Sequence, residues 1–187
     1  MAKKKEIKKL EFPEQYYVLG ADLSLKRPGF CLLSVNKAQG SPIVKVKKLV
    51  SLDNKTDHKK SHGQLLEEIR HFFIKSFFPL PDTVYAVRET EIMKVKVPSE
   101  RSLSKVVGLM DWMLWKISEK EWNSIYPTSV KKLITGSGKA EKEDVAKALD
   151  KYVGKQEYKC DDESDSVAVA IAWLIQQEEI KQTEEII

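Results

Sequence analysis

This sequence lacks several features that mark secreted and membrane proteins. Only two of its 187 residues are cysteines, Cys31 and Cys160, which are far apart and not in a metal-ligand spacing. No apolar run reaches the roughly 20 residues that a membrane-spanning helix needs, and residues 1–5 lack the apolar core of a signal peptide. We therefore expect a protein of a reduced, cytoplasmic compartment with no membrane partner.

A large excess of one charge is also missing. The chain has 32 basic and 28 acidic residues, so its formal net charge is only +4. Four of the acids fall within residues 161–165, which leaves the rest of the surface more basic than the total suggests. Such a surface suits a polyanionic partner, usually a nucleic acid. A mixed and solvated surface is the alternative, and net charge alone does not exclude it.

The most informative stretch is this acidic run and the apolar run 167–175 that follows it. The apolar run has no Gly or Pro and is hydrophobic on almost every side, which predicts a buried helix. One or two acids at its start would be ordinary helix caps, but four exceed what capping needs. Asp162 and Asp165 share one side of a helix. Their repulsion predicts a hard divalent cation ligated by oxygen.

The remaining pattern predicts one domain at residues 15–180, between a flexible basic arm at 1–14 and a tail at 181–187. The first three strands, joined by short turns, should form an antiparallel meander. The predicted strands are 16–22, 30–35, 43–52, 84–87 and 122–126, and the predicted helices are 65–77, 100–118, 127–134, 141–152 and the acidic helix.

The helix at 100–118 is apolar on two sides. One stripe faces its own sheet, whereas Leu109, Trp112 and Trp115 lie mostly outside that stripe. Two interpretations are nearly even: a second subunit covers this side, or the helix is sandwiched within one domain.

Two further acids end predicted strands, Asp22 after the first strand and Glu89 after the fourth. Functional groups collect at strand ends in open sheets, so these acids can converge with Asp162 and Asp165 on one or two divalent ions. Such ions activate a water molecule that attacks a phosphodiester. Glu91 is an alternative to Glu89, because strand alternation puts both on one face.

Three stretches in this order resemble a known family, the RuvC-type Holliday junction resolvases of the ribonuclease H-like superfamily, which include phage-encoded members. The stretches are 18–22 with 28–30, then 130–142, and finally 162–170. The resemblance covers about residues 16 to 176. Some members carry an aromatic wedge shortly after the second acid, where this chain has Ile92 and Met93.

The resemblance implies an α/β, ribonuclease H-like fold with a mixed five-stranded sheet flanked by helices. It implies a homodimeric endonuclease that cleaves branched DNA, with Mg²⁺ as cofactor and Mn²⁺ as a substitute. The implied catalytic acids and metal ligands are Asp22, Glu89, Asp162 and Asp165. Lys131 and Lys142 match basic residues that act near the DNA backbone. A related nuclease acting on RNA and a non-catalytic junction-binding protein are the alternatives. A phage-encoded member would work in the host cytoplasm.

Overall fold

The computed structural model describes residues 10–38, 40–54, 60–91 and 98–182, with side chains from residue 102 onward in the last range. Within these residues the chain forms five strands and five helices. They are β1 (Gln15–Asp22), β2 (Gly29–Asn36), β3 (Ile43–Ser51), α1 (His62–Phe77), β4 (Val84–Glu89), α2 (Pro98–Ser118), β5 (Trp122–Ile125), α3 (Pro127–Thr135), α4 (Lys142–Val153) and α5 (Asp161–Gln176).

The strands form one mixed sheet in the order β3-β2-β1-β4-β5. The first three strands are the predicted antiparallel meander, and β4 runs parallel to both β1 and β5. The predicted mixed five-stranded sheet is therefore confirmed. Because β1, β4 and β5 run in one direction, their carboxyl ends meet at the same edge of the sheet.

Helices cover both faces of the sheet and give two apolar cores. On one face, α5 packs on β1 and β2 while α3 and α4 pack against α5, and Trp173 and the predicted apolar run of α5 are buried there. On the other face, α1 and α2 pack over residues such as Leu19, Phe30 and Ala86. None of the described helices is both long and apolar enough to cross a lipid bilayer.

Two element ends matter for function: β4 is two residues longer than predicted, whereas α5 begins with the acidic run as predicted. Strand β4 continues past Val87 to Glu89, because Arg88 and Glu89 pair with β5. Helix α5 begins at Asp161, six residues before the apolar run, so the acidic run forms its first turns. Neither end shows in hydrophobicity, since both consist of polar residues.

Part of the predicted basic arm is packed on the domain. Phe12 contacts the rings of Tyr16, Tyr85 and Trp173, with its centroid 4.7 to 5.6 Å from theirs. The Leu10 amide donates to Gln177 Oε1 at 3.2 Å. Residues 1–9 of the arm and residues 183–187 of the tail lie outside the described part of the chain.

Two glycines let α5 lie directly against the sheet. A Cβ at Gly20 of β1 would stand 2.3 Å from the Ser166 carbonyl oxygen, and one at Gly29 of β2 would stand 2.0 Å from the Asp162 carbonyl oxygen. Both distances are shorter than any non-bonded contact allows, and both involve backbone. The absence of a side chain at these positions therefore sets how close the acidic end of α5 comes to β1 and β2.

We predict that Gly20→Ala destabilises the protein. The added methyl must push α5 off β1, and overpacking of this kind costs about 1–3 kcal/mol of unfolding free energy. Gly63→Ala in α1 is the matched control, since a Cβ there meets nothing closer than Ser61 Oγ at 3.9 Å. Urea unfolding should show a loss for Gly20→Ala and no loss for Gly63→Ala. Equal stability of the two variants contradicts the close packing of α5.

Candidate active site

The sheet edge at the carboxyl ends of the parallel strands gathers two acids. Asp22 is the last residue of β1 and Glu89 the last of β4, and the pairing of Ala21 with Arg88 puts these acids at the same level on adjacent strands. Asp22 lies two residues after Gly20, whose face of β1 contacts α5. Because side chains alternate along a strand, Asp22 points to the same face, toward α5. Glu89 likewise follows Val87, which is buried in the same core as α5. The two acids therefore face the start of α5.

The four acids of the α5 run have different environments. Asp162 and Asp165 are partly exposed, with 21% and 25% of their side chains accessible. Asp161 is 73% accessible. Glu163 is buried and accepts hydrogen bonds from Ser51 Oγ at 3.0 Å and from the Lys159 amide at 2.9 Å. Glu163 thus ties the start of the helix to β3, while Asp162 and Asp165 stand toward the sheet edge.

Asp165 is not a helix cap. Helix α5 starts four residues earlier, and its N-cap residue is Cys160. In its second turn, Asp165 has no free backbone amide to satisfy, because only the first four amides of a helix lack intrahelical partners. The capping explanation of Asp165 is therefore wrong.

The carboxylates repel one another strongly. Burial, followed by the negative charges of Asp165, Glu89 and Asp162, raises the pKa of Asp22 to about 7. Burial and then Asp165 raise the pKa of Glu89 to about 7 as well. Asp165 is the largest charge acting on both groups, so it stands at the centre of the cluster.

Three basic side chains lie among these acids. Lys142, at the start of α4, donates from Nζ to Asp165 Oδ2 at 2.9 Å, and this hydrogen bond raises the pKa of Lys142. Arg27 Nε lies 3.5 Å from Asp162 Oδ2. Lys131 donates to the Ala140 carbonyl at 2.7 Å, and its charge opposes part of the rise in the pKa of Glu89. Lys131 therefore ties α3 to the segment before α4 while its charge reaches the acids.

Glu91 is placed differently from Glu89. Strand β4 ends at Glu89, so alternation no longer governs Glu91, and Ser104 Oγ of α2 donates to Glu91 Oε2 at 3.3 Å. A cleft of about 240 Å³ is lined by both glutamates together with Asp22, Pro127 and other residues. Glu89 is the acid that interacts with Asp22. Ile92 and Met93 lie outside the described residues.

The donor set fits a hard divalent cation in its chemistry. It consists of carboxylate oxygens, which Mg²⁺, Mn²⁺ and Ca²⁺ all prefer. As placed, however, no three acidic, histidine or cysteine side chains of the described residues surround one point closely enough to bind an ion. Two of the acids, Asp162 and Asp165, are instead turned toward Arg27 and Lys142. The set therefore requires side-chain rotation before it can coordinate a cation.

An acidic cluster at the carboxyl ends of β1 and β4, in a mixed sheet flanked by helices, is the arrangement that the resemblance to ribonuclease H-like nucleases implies. Comparison by sequence agrees. A model of the family described as crossover junction endodeoxyribonuclease RuvC matches residues 18–173. This chain belongs to that family. No curated protein sequence matches it.

Solved structures share the fold at low sequence identity. The structure of T. thermophilus RuvC with a Holliday junction substrate is 16% identical, with a TM-score of 0.70 over 84% of this chain and 92% of that one. A fowlpox virus resolvase with its substrate Holliday junction DNA is 12% identical, with a TM-score of 0.55 over 86% and 97%. The yeast mitochondrial Holliday junction resolvase Ydc2 is 18% identical, with a TM-score of 0.55 over 91% and 82%.

Family membership establishes the type of activity. The chain is an endonuclease that cleaves DNA junctions, and the resolvases of this family depend on a divalent metal. The expectations of an enzyme and of a ribonuclease H-like fold are thereby confirmed. A non-catalytic binding protein is not supported.

Sequence reasoning missed two residues of the site. Arg27 stands in a turn and was not distinguished from other surface bases, because only the fold brings it to Asp162. Glu163 was counted with the acidic cluster, although it lies four and eight residues before the buried Val167 and Ile171. That helical spacing is a signal for burial and would have separated Glu163 from Asp162 and Asp165.

The raised pKa values predict how the stability of the metal-free protein depends on pH. Asp22 and Glu89 hold protons in the folded state up to about pH 7, whereas they lose them near pH 4 when the chain unfolds. The folded state binds more protons in this window, so stability falls as pH rises through it. Asp22→Asn should flatten this fall, measured as melting temperature in the presence of a chelator.

Asp82→Asn is the control for this titration. Asp82 is exposed just before β4 begins, at the opposite end of that strand from Glu89. This variant should keep the wild-type slope. A slope that is equally steep in Asp22→Asn contradicts the assignment of the repulsion to this cluster.

Proposed function

We propose that the chain cleaves four-way DNA junctions at a site formed by Asp22, Glu89, Asp162 and Asp165, with Mg²⁺ as the physiological cofactor. The observation that carries this proposal is that Asp22 and Glu89 end adjacent strands at one sheet edge, where the charges of Asp165 and Asp162 also act on Asp22. Glu89 is preferred over Glu91 because its charge acts on Asp22, whereas Glu91 accepts from Ser104.

Each acid has its own part in this proposal. Asp22 and Glu89, on rigid strand ends, supply the fixed half of a cation site, and Asp162 and Asp165 supply the half carried by α5. A divalent cation bound there would activate the attacking water and stabilise the departing oxygen of the phosphodiester. With pKa values near 7, the carboxyls of Asp22 and Glu89 release protons when a cation binds, so cation affinity should rise with pH.

Basic residues around the acids suit the approach of a DNA backbone. Lys142 lies at the acids themselves, and Lys139 is exposed on the segment before α4. Lysine contacts to phosphate give affinity without sequence selectivity. Family membership favours DNA over the RNA-cleaving alternative, because the family consists of endodeoxyribonucleases. The phage origin and the cytoplasmic location remain predictions.

The single substitution Asp165→Asn is a direct test of the proposed site. Asn keeps the shape of the side chain but removes the charge that acts on both Asp22 and Glu89. The fold should persist, because Asp165 neither caps α5 nor is buried. Cleavage of a synthetic four-way junction should fall by orders of magnitude, because a hard-cation ligand is lost. Junction binding in a gel-shift assay should be retained.

Asp161→Asn is the matched control, since Asp161 is on the same helix end but 73% accessible. It should cleave within a few-fold of wild type. A folded Asp165→Asn variant with near-normal cleavage would sink the site assignment. Linear duplex and an RNA–DNA hybrid, tested beside the junction, separate junction cleavage from the ribonuclease alternative.

We also propose that the active form is a homodimer built through α2. Trp112 and Trp115 are 56% and 54% exposed although they are large and apolar. Positions three apart face the same side of a helix, so the two indoles form one patch. The exposure of both tryptophans supports a second subunit on this side of α2 over the interpretation that the helix is sandwiched within one domain. A two-fold axis on this patch would bury four indoles and set two active sites across one junction.

Replacing Trp112 and Trp115 together by Ser should convert the dimer to a monomer. The variant removes apolar area proposed to drive association, and neither tryptophan belongs to the two apolar cores. Phe78→Ser is the control, because Phe78 is a comparably exposed aromatic, 60% accessible, on a different helix end. Sedimentation should give a dimer for wild type and control. A wild type that is monomeric at micromolar concentration refutes the dimer.

A further inference from the structure

Arg27 is the basic residue of the site that no catalytic assignment has used. It lies in the turn between β1 and β2, directly before Pro28 and Gly29. Its Nε is 3.5 Å from Asp162 Oδ2 and its Nη2 is 3.7 Å from Asp53 Oδ2. Its side chain is only 25% accessible. The guanidinium therefore sits between two carboxylates close to the α5 half of the cluster.

The contacts of this guanidinium are incomplete. Its Nε is buried but makes no hydrogen bond with the described residues, because its approach to Asp162 does not meet hydrogen-bond geometry. A buried donor without an acceptor is costly, and arginine binds most strongly when two of its N–H groups meet two oxygens of one anion. Arg27 is thus held near Asp162 by charge rather than by a complete bidentate pair.

The turn that carries Arg27 is fixed. The Arg27 amide donates to Ser24 Oγ at 2.8 Å, the Asn54 amide donates to the Lys26 carbonyl at 2.7 Å, and Gly29 lies against the backbone of Asp162. Because the backbone is tied on both sides, the guanidinium can change partners only by rotating its own side chain. Such a change keeps it next to the acids.

Lys142 pairs with Asp165 as Arg27 pairs with Asp162. It donates to Asp165 at 2.9 Å, as Arg27 approaches Asp162 at 3.5 Å. With all groups ionised, the four acids and these two bases carry a formal charge of −2. One divalent cation brings the site to neutrality, and two bring it to +2. The bases are then no longer needed as counter-ions, and the site no longer repels a phosphate.

We propose that Arg27 is an exchangeable counter-ion that couples cation binding to DNA binding. This inference rests on the proposed cation site. Without a cation, Arg27 neutralises Asp162. When a cation takes the Asp162 carboxylate, the guanidinium is released toward the cleft and binds a backbone phosphate of the junction. Cation and junction then strengthen each other's binding, and the two effects are reciprocal. Arg27 is a positioning and binding residue in this scheme.

Arg27→Gln tests the coupling, with Lys26→Gln as its matched control. Lys26 is the preceding residue, is exposed and carries the same charge, but has no contact with Asp162. Titration calorimetry measures Mg²⁺ binding to the DNA-free protein. Fluorescence anisotropy measures binding of a labelled four-way junction with and without Ca²⁺, and a gel verifies that the junction stays intact.

Two results are expected. Arg27→Gln should bind Mg²⁺ several-fold more tightly than Lys26→Gln, because the competing counter-ion of Asp162 is gone. The gain in junction affinity that Ca²⁺ produces should shrink several-fold in Arg27→Gln and stay near the wild-type value in Lys26→Gln. Weaker Mg²⁺ binding by folded Arg27→Gln, or equal behaviour of the two variants, overturns the proposal.

Asp162→Asn separates this inference from the proposed function. If Asp162→Asn binds Mg²⁺ as tightly as wild type does, the proposed cation site is wrong and the coupling is refuted as well. If Mg²⁺ binding depends on Asp162 while Arg27→Gln matches Lys26→Gln, the site stands and only the counter-ion exchange is refuted. Melting curves of all variants show that each is folded.

Discussion

Four carboxylates held together against their mutual repulsion are the constraint around which this structure is organised. Burial, and then repulsion by neighbouring carboxylates, raise the pKa of both Asp22 and Glu89 to about 7, so mutual attraction does not bring these acids together. Packing holds them instead. Pairing of β1 with β4 fixes the two strand-end acids, and the glycines at 20 and 29 let the acidic end of α5 lie against the sheet. Burial of the apolar part of α5 thus stabilises the fold enough to offset the repulsion between the carboxylates at its start. Active sites commonly hold charged groups in such unfavourable arrangements.

Much of this was accessible from sequence because the patterns were strong. The apolar run of α5, the alternation in β1 to β3 and the strand-end positions of Asp22 and Glu89 predicted both the sheet and the acids that meet at its edge. Hydrophobicity alone does not mark the exact ends of these elements, since Arg88–Glu89 and Asp161–Ser166 are polar. The pairing of Arg27 with Asp162 was not accessible, because contact between a turn and a distant helix depends on tertiary packing. Helix α2 illustrates the difference. Its periodicity predicted the helix, but only the fold shows that Trp112 on its outer side is exposed.

The basic residues make the acidic site compatible with a polyanion. Lys142 and Arg27 each lie at one acid of α5, so without a cation the negative charge is partly neutralised from within the chain. At the proposed site a divalent cation would replace that neutralisation, and Lys142 and Arg27 would then be positive groups beside the bound phosphodiester. Sequence identity to the structures with Holliday junction DNA is only 12–16%, so that likeness shows the shared fold alone.

Anomalous scattering from Mn²⁺ in crystals of the full chain tests the central claim most directly. Mn²⁺ takes the same oxygen ligands as Mg²⁺ and is visible by its own signal. The predicted result is a peak within coordination distance of Asp22, Glu89, Asp162 and Asp165, with Arg27 and Lys142 turned away from the two acids they approach here. A peak elsewhere, such as at Glu91 alone, or a peak among the four acids with Arg27 and Lys142 unmoved, contradicts it.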